Sequence, residues 1–119
     1  MPVVALSYHV KPDEVVTVTA AIGDAQTGGH SVFLDQTEVP SRPGAPPDVF
    51  GPVALGRGAE LVGRLLTISS VAVDIQPAHD HVSALTTLTG GFPDPMPVPQ
   101  VTDAPTNGAV GFLTLITFV

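Results

Sequence analysis

The chain has 119 residues, no cysteine and a net charge of −7, with 4 Lys plus Arg against 11 Asp plus Glu. Phosphate groups are bound by Lys and Arg, and the few that are present are scattered, which argues against nucleic acid and anionic membranes as partners. No disulfide framework can form, and no apolar stretch is long enough for a membrane-spanning helix. We therefore expect a soluble, cytoplasmic protein with a single domain over residues 1–119.

The first two predicted strands, Val3–Val10 and Val15–Ile22, are joined by a charged turn. Each alternates apolar with more polar side chains, which is typical of a strand with one buried face. Their short connection predicts a hairpin. A glycine-rich loop over residues 23–29 then leads to a shorter predicted strand, His30–Asp35.

Residues 40–52 carry five prolines and two glycines, a composition that predicts an irregular surface loop. We expect Phe50 to dock this loop onto the body of the domain. Residues 59–62 are predicted to be either one helical turn or the start of the next strand.

The segment 64–91 is the longest region of β-type sequence. It predicts a central hairpin of Leu65–Ile75 and His81–Thr89, with the turn at Gln76–Asp80. The paired serines at 69 and 70 indicate a bulge or a change of sheet. The next segment has prolines at 93, 95, 97, 99 and 105, which favours polyproline II or a loop that covers a sheet edge.

The final predicted strand, Ala109–Val119, is apolar on both faces. Such a strand is either central in a sheet covered on both sides, or packed on its own core with its second face buried by another subunit. The second face consists of Leu113, Leu115 and Val119. We therefore predict these three residues as an interface with a protein partner or with another copy of the chain.

The strongest candidate for a metal-binding site is the pair His79 and His81. In an extended chain the two imidazoles lie on one face, where they could hold a divalent metal with Asp74 across the predicted hairpin and His30 or His9 as a further ligand. Loop carboxylates at Asp24, Asp35, Asp94 and Asp103 are a second option, for calcium, but no calcium-loop spacing is present. A Ser-His-Asp set cannot be argued from the sequence alone.

The fold predicted from these patterns is an all-β antiparallel β-sandwich of about seven strands, with a partly closed β-barrel as the alternative. The predicted function is a non-catalytic protein-interaction or self-assembly module that forms a homo-oligomer and needs no cofactor. The alternative is a metal-dependent binding domain or small enzyme that uses His79 and His81.

Overall fold

The computed structural model of the chain describes residues 2–23, 26–44, 46, 48–75, 79–104 and 108–119. These residues form a β-sandwich of two packed sheets with one short helix. The elements in chain order are β1 (Val3–Val10), β2 (Val15–Ile22), β3 (Thr27–Leu34), β4 (Thr37–Val39), β5 (Val49–Arg57), α1 (Gly58–Leu61), β6 (Leu65–Val73), β7 (His81–Thr89), β8 (Gly91–Phe92), β9 (Met96–Asp103) and β10 (Ala109–Phe118).

The first sheet has six strands in the order β4-β3-β6-β10-β1-β8, and the second has four in the order β5-β2-β7-β9. Neighbouring strands are antiparallel, except that β1 runs parallel to β10. The predicted β-sandwich is confirmed, and its two sheets do not close into a barrel. Strands β4, β8 and β9 were not predicted, and β5 begins inside the segment 40–52 that was predicted to be a loop.

Both predicted hairpins are wrong. β1 lies in the six-stranded sheet and β2 in the four-stranded sheet, and β6 and β7 are divided in the same way. The predicted turn between β6 and β7 lies partly outside the described residues. The physical reason is that an arch between two sheets buries the apolar face of each strand as well as a hairpin does. β10, which is apolar on both faces, takes the central position beside β1 and β6.

The proline-rich segment is also not a loop, because most of it forms strand β9 at the edge of the four-stranded sheet. Pro97 and Pro99 are paired opposite Thr87 and Leu85 of β7. A proline lacks the N–H that a ladder needs, so it fits an edge strand where its nitrogen faces away from the neighbour. Prolines at alternate positions therefore leave the ladder to β7 intact.

The glycine-rich residues 27–29 are likewise part of a strand, since β3 begins at Thr27. A side chain at Gly28 would clash with the carbonyl oxygen of Val71, so glycine lets β3 approach β6 closely. The register of β6 with both neighbours is regular, and the serine pair marks no bulge. The residues at 58–61 form the predicted helical turn, and Phe50 is buried as expected.

The interior contains two apolar clusters, a larger one around Tyr8, Ile68 and Phe118 and a smaller one around Val82 and Phe112. Buried polar side chains also lie between the sheets, namely Ser70, Thr86, Gln100 and Thr114. Gln100 crosses the sandwich and donates to the hydroxyl of Thr114 at 3.0 Å and to the carbonyl of Leu113 at 3.1 Å. The inner faces predicted for β1, β2 and β7 are those found.

Candidate interaction surface

The three residues predicted as an interface lie together on the outer face of the six-stranded sheet. Strand β10 alternates, so that Phe112, Thr114, Ile116 and Phe118 point into the core while Leu113, Leu115 and Val119 point outward. Val119 is 43% exposed, whereas the two leucines are half-buried by their sheet neighbours. Because β10 is a central strand, its outward side chains form the middle of this surface.

The register assigns further residues to the same face. Leu113 lies between Val3 of β1 and Ser69 of β6, and Leu115 lies between Ala5 and Thr67. We name this surface the β10 face and define it by its outward residues on four adjacent strands: Val3, Ala5, Ser7, His9, Thr27, Gly29, Ser31, Phe33, Leu65, Thr67, Ser69, Val71, Val73, Ala109, Gly111, Leu113, Leu115, Thr117 and Val119. None of them is Asp, Glu, Lys or Arg, and His9 is the single titratable side chain among them.

Charged groups appear only around this surface. Glu38 lies opposite Phe33 on the edge strand β4. At one end the Arg64 Nε donates to an Asp35 carboxylate oxygen at 2.8 Å in an exposed ion pair. The pKa of Asp35 is lowered, first because its carboxylate accepts the Leu65 N–H at 3.0 Å and second by Arg64. The β10 face therefore has an apolar centre and a charged rim, the arrangement common in protein interfaces.

The outer strands of the two sheets are short or contain proline. In the six-stranded sheet the outer strands are β4, with three residues, and β8, with two. In the four-stranded sheet, β9 carries Pro97 and Pro99, and β5 contains Pro52 and an irregular register to β2. Short edges and prolines are the features by which sheets avoid edge-to-edge association. These features argue against edge pairing at β5 and β9, whereas β8 pairs only with His9 and Val10 of β1, and β4 only with Val32, Phe33 and Leu34 of β3.

The outer face of the four-stranded sheet differs in chemistry. Thr17 and Thr19 of β2 lie beside Thr89 and Thr87 of β7, and the hydroxyls of Thr17 and Thr89 hydrogen-bond to each other. The most exposed large apolar side chains on this face are Val101, Val15 and Leu85. Unlike the β10 face, it carries the charged side chains of Arg57 and Asp103, and it supplies a matched location for control variants.

The residues predicted to bind a metal are not brought together as a set. The rings of His79 and His81 have centroids 5.4 Å apart, and the His81 N–H donates to Nδ1 of His79 at 3.2 Å. His81 Nδ1 also lies 2.7 Å from a carboxylate oxygen of Asp103, with both side chains largely exposed. Across the described ranges, no three His, Cys, Asp or Glu side chains form a group that could hold a metal ion.

The Asp74 side chain does not lie on the same surface as these histidines. It continues the inner face of β6 and is only 3% exposed, whereas His81 points outward from β7 in the other sheet. The predicted contact depended on a hairpin between β6 and β7, which does not exist. Metal binding by His79 and His81 stays a prediction, and the Asp74 side chain lies on the inner face of its strand rather than beside the two imidazoles.

The carboxylates considered for calcium are also dispersed. Asp35 pairs with Arg64, and Asp103 pairs with His81. Asp94 accepts the N–H of Gly90 at 3.2 Å. Asp24 lies outside the described residues.

Gln26 is a structural residue that the sequence pattern did not single out. Its side-chain amide donates to Asp74 Oδ1 at 3.1 Å and to the His81 carbonyl at 2.9 Å, and its Oε1 accepts the Ile75 N–H at 2.7 Å. It thereby joins the end of β6 to the start of β7. A glutamine in a glycine-rich segment carries no periodic signal, so only the three-dimensional contacts identify this role.

Comparison of the chain with protein-family models, with curated proteins and with solved structures finds no match. Within the described residues, no helix is long and apolar enough to cross a membrane.

Proposed function

We propose that this chain is a non-catalytic self-assembly module that pairs with a second copy of itself through the β10 face. The observation that carries the proposal is the distribution of charge. The chain has 11 acidic and 4 basic residues, yet none of the outward residues of β1, β3, β6 and β10 on this face is Asp, Glu, Lys or Arg. Exposed apolar side chains cluster there, including Val3, Leu65, Val71 and Val119. Contiguous apolar surface of this kind is typical of an interaction site.

A second copy is the partner that this chemistry fits best. In a two-fold symmetric pair the same patch of each subunit faces itself. A patch with charges of one sign would repel itself in that arrangement, but an uncharged patch does not. The net charge of −7 is carried by groups outside the patch. Repulsion between two chains of this net charge therefore weakens association without preventing contact at the centre of the patch.

The size of the β10 face is sufficient for a small specific interface. Four strands about 4.8 Å apart and about eight residues long, at about 3.3 Å per residue, give a patch of roughly 500 Å² on each copy. Two such patches bury about 1,000 Å² in total, which is near the lower limit of biological interfaces. The proposed dimer is consequently of moderate affinity and depends on concentration.

Charge-introducing variants on opposite faces test the proposal. Leu113→Glu and Val71→Glu each place a carboxylate in the β10 face, where it would be desolvated in the dimer without a partner. The matched control is Leu85→Glu, because Leu85 is 43% exposed and Val71 is 46% exposed, on opposite sheets. Circular dichroism establishes that each variant is folded, and multi-angle light scattering gives the molar mass.

We expect both β10-face variants to be monomeric at concentrations where the native chain and Leu85→Glu are dimeric. The loss follows because an unpaired buried charge costs several kcal/mol, about 3–5, which is large beside the stability of a small interface. Dimerisation that survives both Leu113→Glu and Val71→Glu would contradict the proposal. Loss of the dimer in Leu85→Glu alone would place the interface on the four-stranded sheet instead.

A further inference from the structure

A cleft is lined by His30 of β3, by described residues between β4 and β5, and by the start of β5. It has a volume of about 190 Å³ and is lined by His30, Ser41, Arg42, Gly44, Pro46, Val49 and Phe50. The cleft differs chemically from the β10 face, because an arginine and a hydroxyl group line it together with apolar side chains. It is smaller than the clefts of about 300–1,000 Å³ that hold drug-sized molecules.

The inner wall of the cleft is fixed by His30. Its Nε2 lies 3.1 Å from the carbonyl oxygen of Asp48, and its Nδ1 lies 2.6 Å from the Ser70 hydroxyl. A carbonyl can only accept, so Nε2 carries the proton and donates to it. In the neutral ring Nδ1 then accepts the hydrogen bond that Ser70 donates. Both nitrogens are occupied in this way, and the ring contributes a wall to the cleft.

The same Asp48 carbonyl also accepts the N–H of Ile22 at 3.1 Å. One carbonyl at the base of the loop is therefore held by β3 of the six-stranded sheet and by β2 of the four-stranded sheet. These two hydrogen bonds hold the end of the loop, at Asp48, against both sheets.

The hydroxyl–imidazole pair resembles an activated nucleophile, but its position does not suit catalysis. Ser70 is 3% exposed on the inner face of β6 and lies behind the imidazole, away from the residues that line the cleft. A substrate carbon would have to approach the hydroxyl through the packed interior. We therefore assign His30 and Ser70 to positioning the wall of the cleft.

Arg42 gives the cleft its chemical preference. It is one of only 4 cationic residues in a chain of net charge −7, and both Arg42 and Ser41 line the cleft. The lining also includes the apolar side chains of Pro46, Val49 and Phe50. A guanidinium and a hydroxyl bind a carboxylate, whereas the apolar wall accepts a hydrocarbon or aromatic body.

We propose that this cleft binds a small monocarboxylate with an apolar body, its carboxylate on Arg42 and Ser41 and its body against Phe50 and Val49. The proposal is independent of self-assembly, since none of these residues belongs to the β10 face. Benzoate is a suitable probe because it combines one carboxylate with one ring. Its dissociation constant should be about 1–10 mM, as befits a ligand with so few atoms.

The experiment is a titration of the isotopically labelled full chain with benzoate, followed by two-dimensional NMR. Saturable shifts should be centred on His30, Val49 and Phe50. Arg42→Gln should weaken binding by about 10-fold to 100-fold, the range expected for a lost hydrogen bond to a charged group. Arg57→Gln is the matched control, because Arg57 lies at the far end of β5 from Phe50, and it should leave binding unchanged.

A neutral probe of similar size distinguishes the contribution of Arg42 to binding from that of the apolar side chains. Benzyl alcohol should bind at least about 10-fold more weakly than benzoate to the native chain, and it should bind Arg42→Gln as well as it binds the native chain. Equal affinity of benzoate for the native chain and Arg42→Gln would overturn the proposal. So would shifts that lie outside the cleft, or no saturation at a probe concentration of about 50 mM, well above the expected dissociation constant.

Discussion

His30 is the residue at which burial has the clearest electrostatic consequence. Its pKa is lowered below 6.5 mainly because burial disfavours the charged imidazolium, and the hydrogen bond and nearby charge of Asp48 oppose this only in part. The unfolded chain therefore binds a proton at His30 more readily than the folded chain does. Stability contributed by the neutral histidine is present above about pH 6.5 and is lost as the pH falls through the lower folded pKa.

This sign gives a prediction for the pH dependence of folding. Urea unfolding of the native chain and of His30→Gln should be compared between about pH 8 and pH 5. We expect the native chain to lose free energy of unfolding relative to the variant as the pH drops below about 6.5. The other three histidines occur in both proteins, so the difference isolates His30. A difference that stays constant over this range, or grows toward acid, would show that burial does not control the titration of His30.

The sequence pattern predicted the burial of some residues and not of others. Alternation correctly predicted one buried face on each of β1 and β2, because a strand with one buried face leaves a period of two. Gln26 and Gln100 leave no such signature. Each is buried because of a partner on a distant strand, and that partner is known only when the topology is known.

At the scale of elements, β10 is the strand on which the six-stranded sheet depends. It pairs with β6 along nine residues and with β1 along six. Phe118, near its end, is fully buried in the larger core cluster, and its backbone is bonded to Gly63 and Arg64. We expect the strand to be held in place by this aromatic side chain as well as by its two ladders.

Phe118→Ala should therefore lower the free energy of unfolding by about 3–5 kcal/mol, the usual cost of removing a buried aromatic ring. Thr117→Ala is the neighbouring control, since its side chain is exposed on the outer face, and it should change stability by no more than about 0.5 kcal/mol. Urea denaturation measures both. A similar small effect for the two variants would mean that the end of β10 contributes little to the fold.

Strand positions were easier to predict than strand partners. The bounds of β1 and β2 follow from their residues, whereas the hairpins inferred from their closeness in sequence do not occur. A short connection is equally compatible with a turn within one sheet and an arch between two. Strand β9 was missed for a related reason, because proline excludes a central strand but is accepted at an edge, and edge position is a property of the whole sheet.

At the scale of the whole molecule, charge and apolar surface are separated. None of the strands that form the β10 face places an Asp, Glu, Lys or Arg side chain on it. Acidic groups lie in turns and at strand ends. Two copies that meet through this face bring together two chains that each have a net charge of −7. At about 0.15 M salt such repulsion extends about 8 Å, and at 1 M only about 3 Å. Added salt should therefore strengthen association, the opposite of what a pair held by salt bridges would show.

The most direct test of self-assembly is the molar mass of the native chain in solution, measured by light scattering over a range of protein concentrations at low and high sodium chloride. We expect the mass to rise with concentration from the 12.2 kDa of one chain toward twice that value. The rise should occur at lower protein concentration in high salt. A mass of 12.2 kDa at every concentration and salt level would contradict the proposed pairing through the β10 face.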